Sequence, residues 1–291
     1  MIETFRTLTV PGGATLAYRV ERGEAPRQVI VLIHGMASNM TRWSEFSEQT
    51  TLKRSWDLLR LDLRGNGSSI FRGRISMETW CDDIAAILDR EGYSRAILVG
   101  HCLGANIAAR FATRYPERTA GLILIEPLFP QAFTGALRKF RPFNKLLSPL
   151  IGLIRLLNRL GVYRRHFPRL DLRELDRETR NLMAEAGRPE ALVQRYASPF
   201  FDLHFLPTTA YLQCLRELYR PLPPLAEIKT PMLLLFSTGK VFSDPELERG
   251  LCEALHGCRT EVLDSHHWIP TEKPSEMRAA IERWCASIPH S

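Results

Sequence analysis

The sequence predicts an α/β protein built on a mostly parallel sheet. Short branched apolar runs recur along the chain, longer helical patterns separate them, and the chain is long enough to bury a large core. Its 291 residues are 45% hydrophobic and 24% charged, the balance of a globular protein of one or two domains. Those values exclude a disordered tail, a collagen-like fibre and a disulfide miniprotein.

Val29 to Ile33, Leu58 to Leu61, Ala96 to Val99, Leu122 to Ile125 and Met232 to Phe236 read as buried strands. Unbroken runs of branched residues suit strands covered on both faces. Helical patterns lie between them, around 77–90, 104–115 and 246–256. Phe5 to Val10 and Thr15 to Val20 flank Pro11-Gly12-Gly13 and read as an antiparallel edge hairpin. From about 128 to 228 the alternation stops, and prolines and helix-like stretches replace it. An α/β enzyme places a helical cap over its active site at such a point. The expected division is a core of 1–127 and 229–291 with a cap of 128–228.

The net charge is +7 and the isoelectric point about 9.3. Residues 131–180 hold 12 Lys or Arg against four Asp or Glu, so the positive excess sits in the insertion. The six cysteines, Cys81, Cys102, Cys214, Cys252, Cys258 and Cys285, form no C-x-x-C pair and no zinc spacing. Scattered thiols, an N-terminus unlike a signal peptide and the lack of a membrane-length apolar run give a cytoplasmic expectation.

The strongest chemical signal runs from Ala96 to Asn106: a buried strand enters Gly100-His101-Cys102-Leu103-Gly104 and passes directly into a helix. This is nucleophile-elbow geometry with cysteine in place of serine. A residue on so sharp a turn needs tiny neighbours two positions away, and Gly100 and Gly104 meet that demand. The helix starting beside Cys102 is expected to favour thiolate over thiol.

With this elbow the chain resembles the α/β-hydrolase superfamily, as a capped member with a cysteine at the elbow, over nearly everything outside 128–228. Three more segments carry the resemblance. Val31-Leu32-Ile33-His34-Gly35-Met36 is similar to the family's His-Gly turn after its third strand. Asp62-Leu63-Arg64-Gly65-Asn66-Gly67-Ser68-Ser69 is similar to the Asp-x-Arg-Gly-His-Gly-x-Ser loop, with Asn66 replacing histidine. Ser265 to Pro274 is similar to the stretch holding the catalytic histidine. The resemblance implies an α/β-hydrolase fold with a helical cap inserted after strand 6. It also implies His267 as base, because Glu272 and Pro274 stand at the family offsets from it. His266 occupies a position where the family prefers glycine. The backbone N–H groups of Met36 and Leu103 are implied as the oxyanion hole.

The family's usual acid position, after the seventh strand, is Lys240 here, and lysine cannot accept from an imidazole N–H. The second location used in the superfamily, by some haloalkane dehalogenases for example, is the end of strand 6. That position is Glu126, 24 residues after Cys102. Asp244, in a reshaped loop, stays open as the alternative acid.

These placements predict a cysteine-dependent hydrolase acting on an ester, thioester or lactone through an acyl-Cys intermediate, by hydrolysis or acyl transfer. A thiolate–imidazolium pair is expected to form partly at rest. The competing reading is a non-catalytic hydrolase-like ligand-binding protein with a degraded triad. No metal or organic cofactor is expected. Gly-x-Cys-x-Gly elbows also occur in dienelactone hydrolases and polyhydroxyalkanoate synthases, but that similarity stops at the elbow. The expected partner is a small acyl substrate, with coenzyme A and acyl-carrier protein as the carriers a basic rim would suit. Around the apolar stretch Leu146–Leu160, that rim is Arg138, Lys139, Arg141, Lys145, Arg164, Arg165 and Arg169. The same stretch suits packing within the cap, an acyl-chain pocket or weak contact with a membrane surface. Nucleic acid is not expected, because no aromatic platforms interleave the basic residues.

Overall fold

The computed structural model describes residues 2–23, 28–186, 190–252 and 258–288. Eight strands form one sheet: β1 (Ile2–Val10), β2 (Ala14–Arg22), β3 (Val29–Ile33), β4 (Asp57–Leu61), β5 (Ala96–His101), β6 (Thr119–Ile125), β7 (Met232–Ser237) and β8 (Cys258–Leu263). Their order is β1-β2-β4-β3-β5-β6-β7-β8. The hairpin β1–β2 is antiparallel, β2 joins β4 antiparallel, and every later pairing is parallel. This is the α/β-hydrolase fold, with each predicted strand in place.

Twelve α-helices accompany the sheet: α1 (Ser44–Gln49), α2 (Met77–Glu91), α3 (Leu103–Arg114), α4 (Gly135–Phe140), α5 (Leu147–Arg159), α6 (Leu172–Ala186), α7 (Glu190–Tyr196), α8 (Pro199–Phe205), α9 (Thr208–Leu218), α10 (Pro245–Cys252), α11 (Ile269–Glu272) and α12 (Pro274–Ser287) among the described residues. The helical pattern at 246–256 becomes α10, and its last residues, 253–256, lie outside the described residues.

The central strands are buried on both faces because pleating sends alternate residues into separate apolar layers. Val29, Val31, Ile33, Leu98, Leu122, Leu124, Leu234 and Phe236 join a core with α2 and α3. Ile30, Leu32, Ile97, Val99, Ile123, Ile125, Leu233 and Leu235 join Trp43, Phe46, Trp56 and Trp284 on the other face. At roughly 25 cal/mol per Å² of buried apolar surface, these two layers dominate the stability of the fold.

Strand β8 was not expected. Its residues, Cys258-Arg259-Thr260-Glu261-Val262-Leu263, lie at the sheet edge and are only partly buried or exposed, so no apolar run marks them.

Helices α4–α9 occupy the chain between β6 and β7, and no strand joins them among the described residues. One buried cluster ties this insertion to the rest. Arg42 ion-pairs Asp176 of α6 at 2.6 Å and donates to Thr271 of α11. The Tyr196 hydroxyl donates to the same carboxylate at 2.6 Å. A buried pair stripped of one partner is costly to leave uncompensated, so this cluster holds the insertion to the core together with the Gln213, Glu217 and Arg220 contacts to Ile75, Met77 and Glu78.

Candidate active site

Cys102 stands between β5 and α3 with φ 55° and ψ −121°. Glu126, at the end of β6, has φ 52°, and Ala37, after the His-Gly turn, has φ 51°. These are the only non-glycine residues with positive φ among the described residues, and all three lie at the C-terminal end of the parallel strands. Backbone strain of this kind persists where surrounding packing over-determines it.

The two elbow glycines are required by backbone contact. A Cβ on Gly100 would lie 2.2 Å from the Gly104 carbonyl oxygen, and one on Gly104 would lie 2.4 Å from that of Ile33. The backbone N–H groups of Leu103, in that turn, and of Met36, in the His-Gly turn after β3, both act to lower the Cys102 thiol.

His267 arrives from the segment between β8 and α11. Its Nδ1 is 3.0 Å from Glu126 Oε2, and Glu126 Oε1 accepts from the Ser237 N–H at 2.5 Å. With Nδ1–H donating to the carboxylate, Nε2 is the free acceptor. Nε2 is buried and has no partner among the described residues. Both His267 and Cys102 line one cavity of about 130 Å³.

Asp244 is not brought to His267. Its carboxylate lies 3.6 Å from Lys240 Nζ and accepts from the Glu246 N–H at 3.1 Å, starting α10. The residue that replaces the usual acid thus pairs with the alternative acid at the surface. His266 donates its N–H to Glu272 and sets Nδ1 2.9 Å from the same carboxylate. His34 Nδ1 lies 2.7 Å from the Gly35 carbonyl, while Nε2 accepts from the Leu63 N–H. Asn66 is buried in its loop and does not line the cavity.

Electrostatics run against one expectation. Burial pushes the Cys102 thiol up to about 12, against the lowering effect of the Leu103 and Met36 N–H groups. Burial also pushes the His267 imidazole down to about 3. Desolvation opposes the helix dipole, and both shifts favour neutral thiol and neutral imidazole over thiolate and imidazolium. Burial likewise raises Glu126 to about 8, opposed by the hydrogen bond from the Ser237 N–H.

Two acids near the site carry no sequence motif. Asp202 of α8 lines the cavity, makes no ion pair or side-chain hydrogen bond among the described residues, and is pushed up to about 7 by burial. Glu248 of α10 is buried, and desolvation with the nearby Glu126 charge raises it to about 8. Each sits inside an ordinary helical pattern. Only the absence of a cation at helical spacing hints at Asp202.

A family model described as "Serine aminopeptidase, S33" (Hydrolase_4) matches residues 24–268. The human protein "Epoxide hydrolase 4" is 34% identical over 118 residues, 40% of this chain and 32% of that protein. The chain thus spans about a third of the length of that relative. "Probable lysophospholipase L2" of Haemophilus influenzae is 25% identical over 286 residues, covering 92% of this chain and 86% of that protein. Among solved structures, an esterase from Thermogutta terrifontis aligns with TM-score 0.69 and 21% identity, covering 98% of this chain and 99% of that one. The enol-lactonase from Burkholderia xenovorans aligns with TM-score 0.69 and 18% identity, covering 97% and 100%. At those identities the two structural likenesses speak to fold.

Proposed function

The chain belongs to the Hydrolase_4 (serine aminopeptidase) family of α/β-hydrolases, and from that premise we propose that it is a cysteine-dependent acyl hydrolase with Cys102, His267 and Glu126 as its triad. The observation that carries this reading is the Glu126–His267 contact of 3.0 Å, which leaves Nε2 bare in the cavity that Cys102 also lines.

In the proposed reaction the Cys102 thiol passes its proton to His267 Nε2 as sulfur attacks the carbonyl carbon. The C–S bond forms, and the carbonyl π electrons become an oxyanion held by the N–H groups of Met36 and Leu103. Removing one such donor typically costs about 3–4 kcal/mol of transition-state stabilisation. Collapse breaks the bond to the leaving group, which takes the proton from Nε2. Water then gives up a proton to Nε2 and cleaves the thioester by the reverse sequence. Glu126, ionised, stabilises the imidazolium that exists only during these steps. A neutral resting pair makes the proton transfer part of the attack, so activation waits for substrate to enter.

Acyl chemistry suits sulfur better than epoxide opening. A thiolate that opened an epoxide would leave a thioether, which water does not cleave, and the enzyme would stop after one turnover. The relative named as a probable lysophospholipase fits cleavage of an acyl–oxygen bond. Helices α4–α9, which furnish Leu137, Tyr196, Phe201, Asp202, Tyr211 and Leu215 to the cavity, act in this reading as its cap.

In this reading the cavity suits a short acyl group. An engineered cavity of roughly 150 Å³ holds benzene, so a space of about 130 Å³ suits an acyl chain of roughly four to six carbons. The kcat/KM for p-nitrophenyl butyrate is expected to exceed that for the decanoate by at least about tenfold, in line with a poor fit costing 1–3 kcal/mol. Butyryl-CoA is expected to turn over at the same Cys102. Equal kcat/KM for butyrate and decanoate would remove the size argument, and no turnover of any acyl substrate would favour the ligand-binding reading.

Glu126 sets the pH response. Its carboxyl is raised by burial to about 8, so it is mostly neutral below that pH and ionised above it. Because the ionised form supports the imidazolium, kcat is expected to climb as pH rises through about 8. Glu126→Gln is expected to lower kcat by about 10²- to 10³-fold, less than the ~10⁴ seen for the equivalent change in a serine triad, and to flatten the climb. A wild-type profile that is flat from pH 6.5 to 9.5 would contradict the assignment.

A further inference from the structure

Helix α5 is apolar on two opposite faces, and only one of them is covered. Leu147 and Ile151 are buried and the helix packs on α9. The other face presents Leu150, Leu153, Leu156, Leu157 and Leu160 to solvent, with Leu160 70% exposed. A helix in water normally shows charge on its outer face, so this stripe lacks its partner. It does not stand alone. Phe140 and Phe143, just before α5, are each half exposed, with ring centroids 6.1 Å apart, and Leu146 and Val162 extend the patch.

The surrounding charge identifies the chemistry of what covers it. Residues 131–170 contain nine Lys or Arg and no Asp or Glu. None of the nine forms an ion pair among the described residues. Elsewhere arginines are heavily paired, for example Arg42 with Asp176 and Arg64 with Asp83. A patch of leucine and phenylalanine set in unpaired cations fits a surface that is apolar beneath and anionic on top.

We propose that the α4–α5 face docks on an anionic lipid bilayer, with the leucines and phenylalanines entering the acyl region and the cations meeting lipid phosphates. A second copy of the chain fits poorly, because a twofold contact through this face would set one group of nine uncompensated cations against another. Leu137 of α4 also lines the catalytic cavity, so docking would place the element beside the substrate space at the membrane. The proposal does not depend on the reaction assigned to Cys102.

The test is co-sedimentation of the full chain with vesicles of pure phosphatidylcholine or of phosphatidylcholine with phosphatidylglycerol, at low and high salt. Binding is expected to the anionic vesicles, at least tenfold weaker to the zwitterionic ones, and weakened by salt. Leu153→Glu combined with Leu157→Glu should reduce anionic binding at least tenfold, while circular dichroism and p-nitrophenyl butyrate turnover stay at wild-type values. Arg159→Glu with Arg165→Glu should erase the lipid preference. No vesicle binding, or binding that both double variants leave intact, would overturn the proposal. So would retention by an acidic acyl-carrier protein without vesicle binding, or a solution dimer that the leucine variants dissociate.

Discussion

Cys102→Ala is expected to lower kcat for p-nitrophenyl butyrate by about 10⁴-fold or more while leaving the melting temperature close to that of the wild type. The size follows from the proposed mechanism. Without sulfur no acyl-enzyme forms, and what remains is whatever the Met36 and Leu103 N–H groups and the cavity contribute alone, of the order of 10³–10⁴ over water in a serine triad stripped of its nucleophile. The Cys102 side chain is small and its contacts are with the turn that Gly100 and Gly104 already hold, so little stability goes with it. Because the resting thiol is pushed up to about 12 by burial, iodoacetamide should modify free Cys102 slowly at neutral pH. Rapid alkylation with a midpoint well below the free-thiol value would mean that a thiolate already exists, contrary to the neutral pair. Steady-state rates and intact mass after alkylation check both statements.

Gly100→Ala should cost about 3–5 kcal/mol and lower the melting temperature by about 10 °C or more, or prevent folding to a soluble protein. Its new Cβ would sit 2.2 Å from the Gly104 oxygen and 2.5 Å from the Ala105 nitrogen. Both atoms belong to the backbone of the first turn of α3, so no side-chain rotation relieves the clash. Gly152→Ala is the contrast. That glycine lies inside α5 with nothing within 4 Å of an added Cβ, and alanine there should stabilise the helix by up to about 1 kcal/mol. Thermal unfolding of the two variants, one sharply down and one slightly up, separates a packing demand from a mere preference for glycine. Equal, small effects would mean that the elbow is not held by contact at all.

The fold was legible because its central strands are buried on both sides, which forces unbroken branched runs such as Val29–Ile33 and Leu122–Ile125. Strand β8 escaped because edge pairing needs only backbone, so Arg259 and Glu261 are tolerated on it. At the site, Cys102 could be read from glycine spacing, since the turn leaves no room for Cβ atoms on either side. Glu126 needed more than local sequence. It became the leading acid only because Lys240 cannot accept a hydrogen bond, and its 3.0 Å reach to His267 depends on a positive φ that no run of residues declares. The protonation of the pair is hard to read from sequence for a physical reason. Helix proximity is visible in sequence, whereas the desolvation that outweighs it arises only when residues 100 and more positions apart close over the sulfur. Asp202 is faint in the sequence on the same ground, because what distinguishes it is burial without an ion pair among the described residues.

The most direct test is rapid acid quench of the wild-type protein during turnover of p-nitrophenyl butyrate, followed by intact mass and peptide mapping. A thioester is stable in acid, so the account predicts one butyryl group on the peptide carrying Cys102, forming in step with the first nitrophenolate released. Turnover with that peptide unmodified, or with the butyryl group on another side chain, would contradict it.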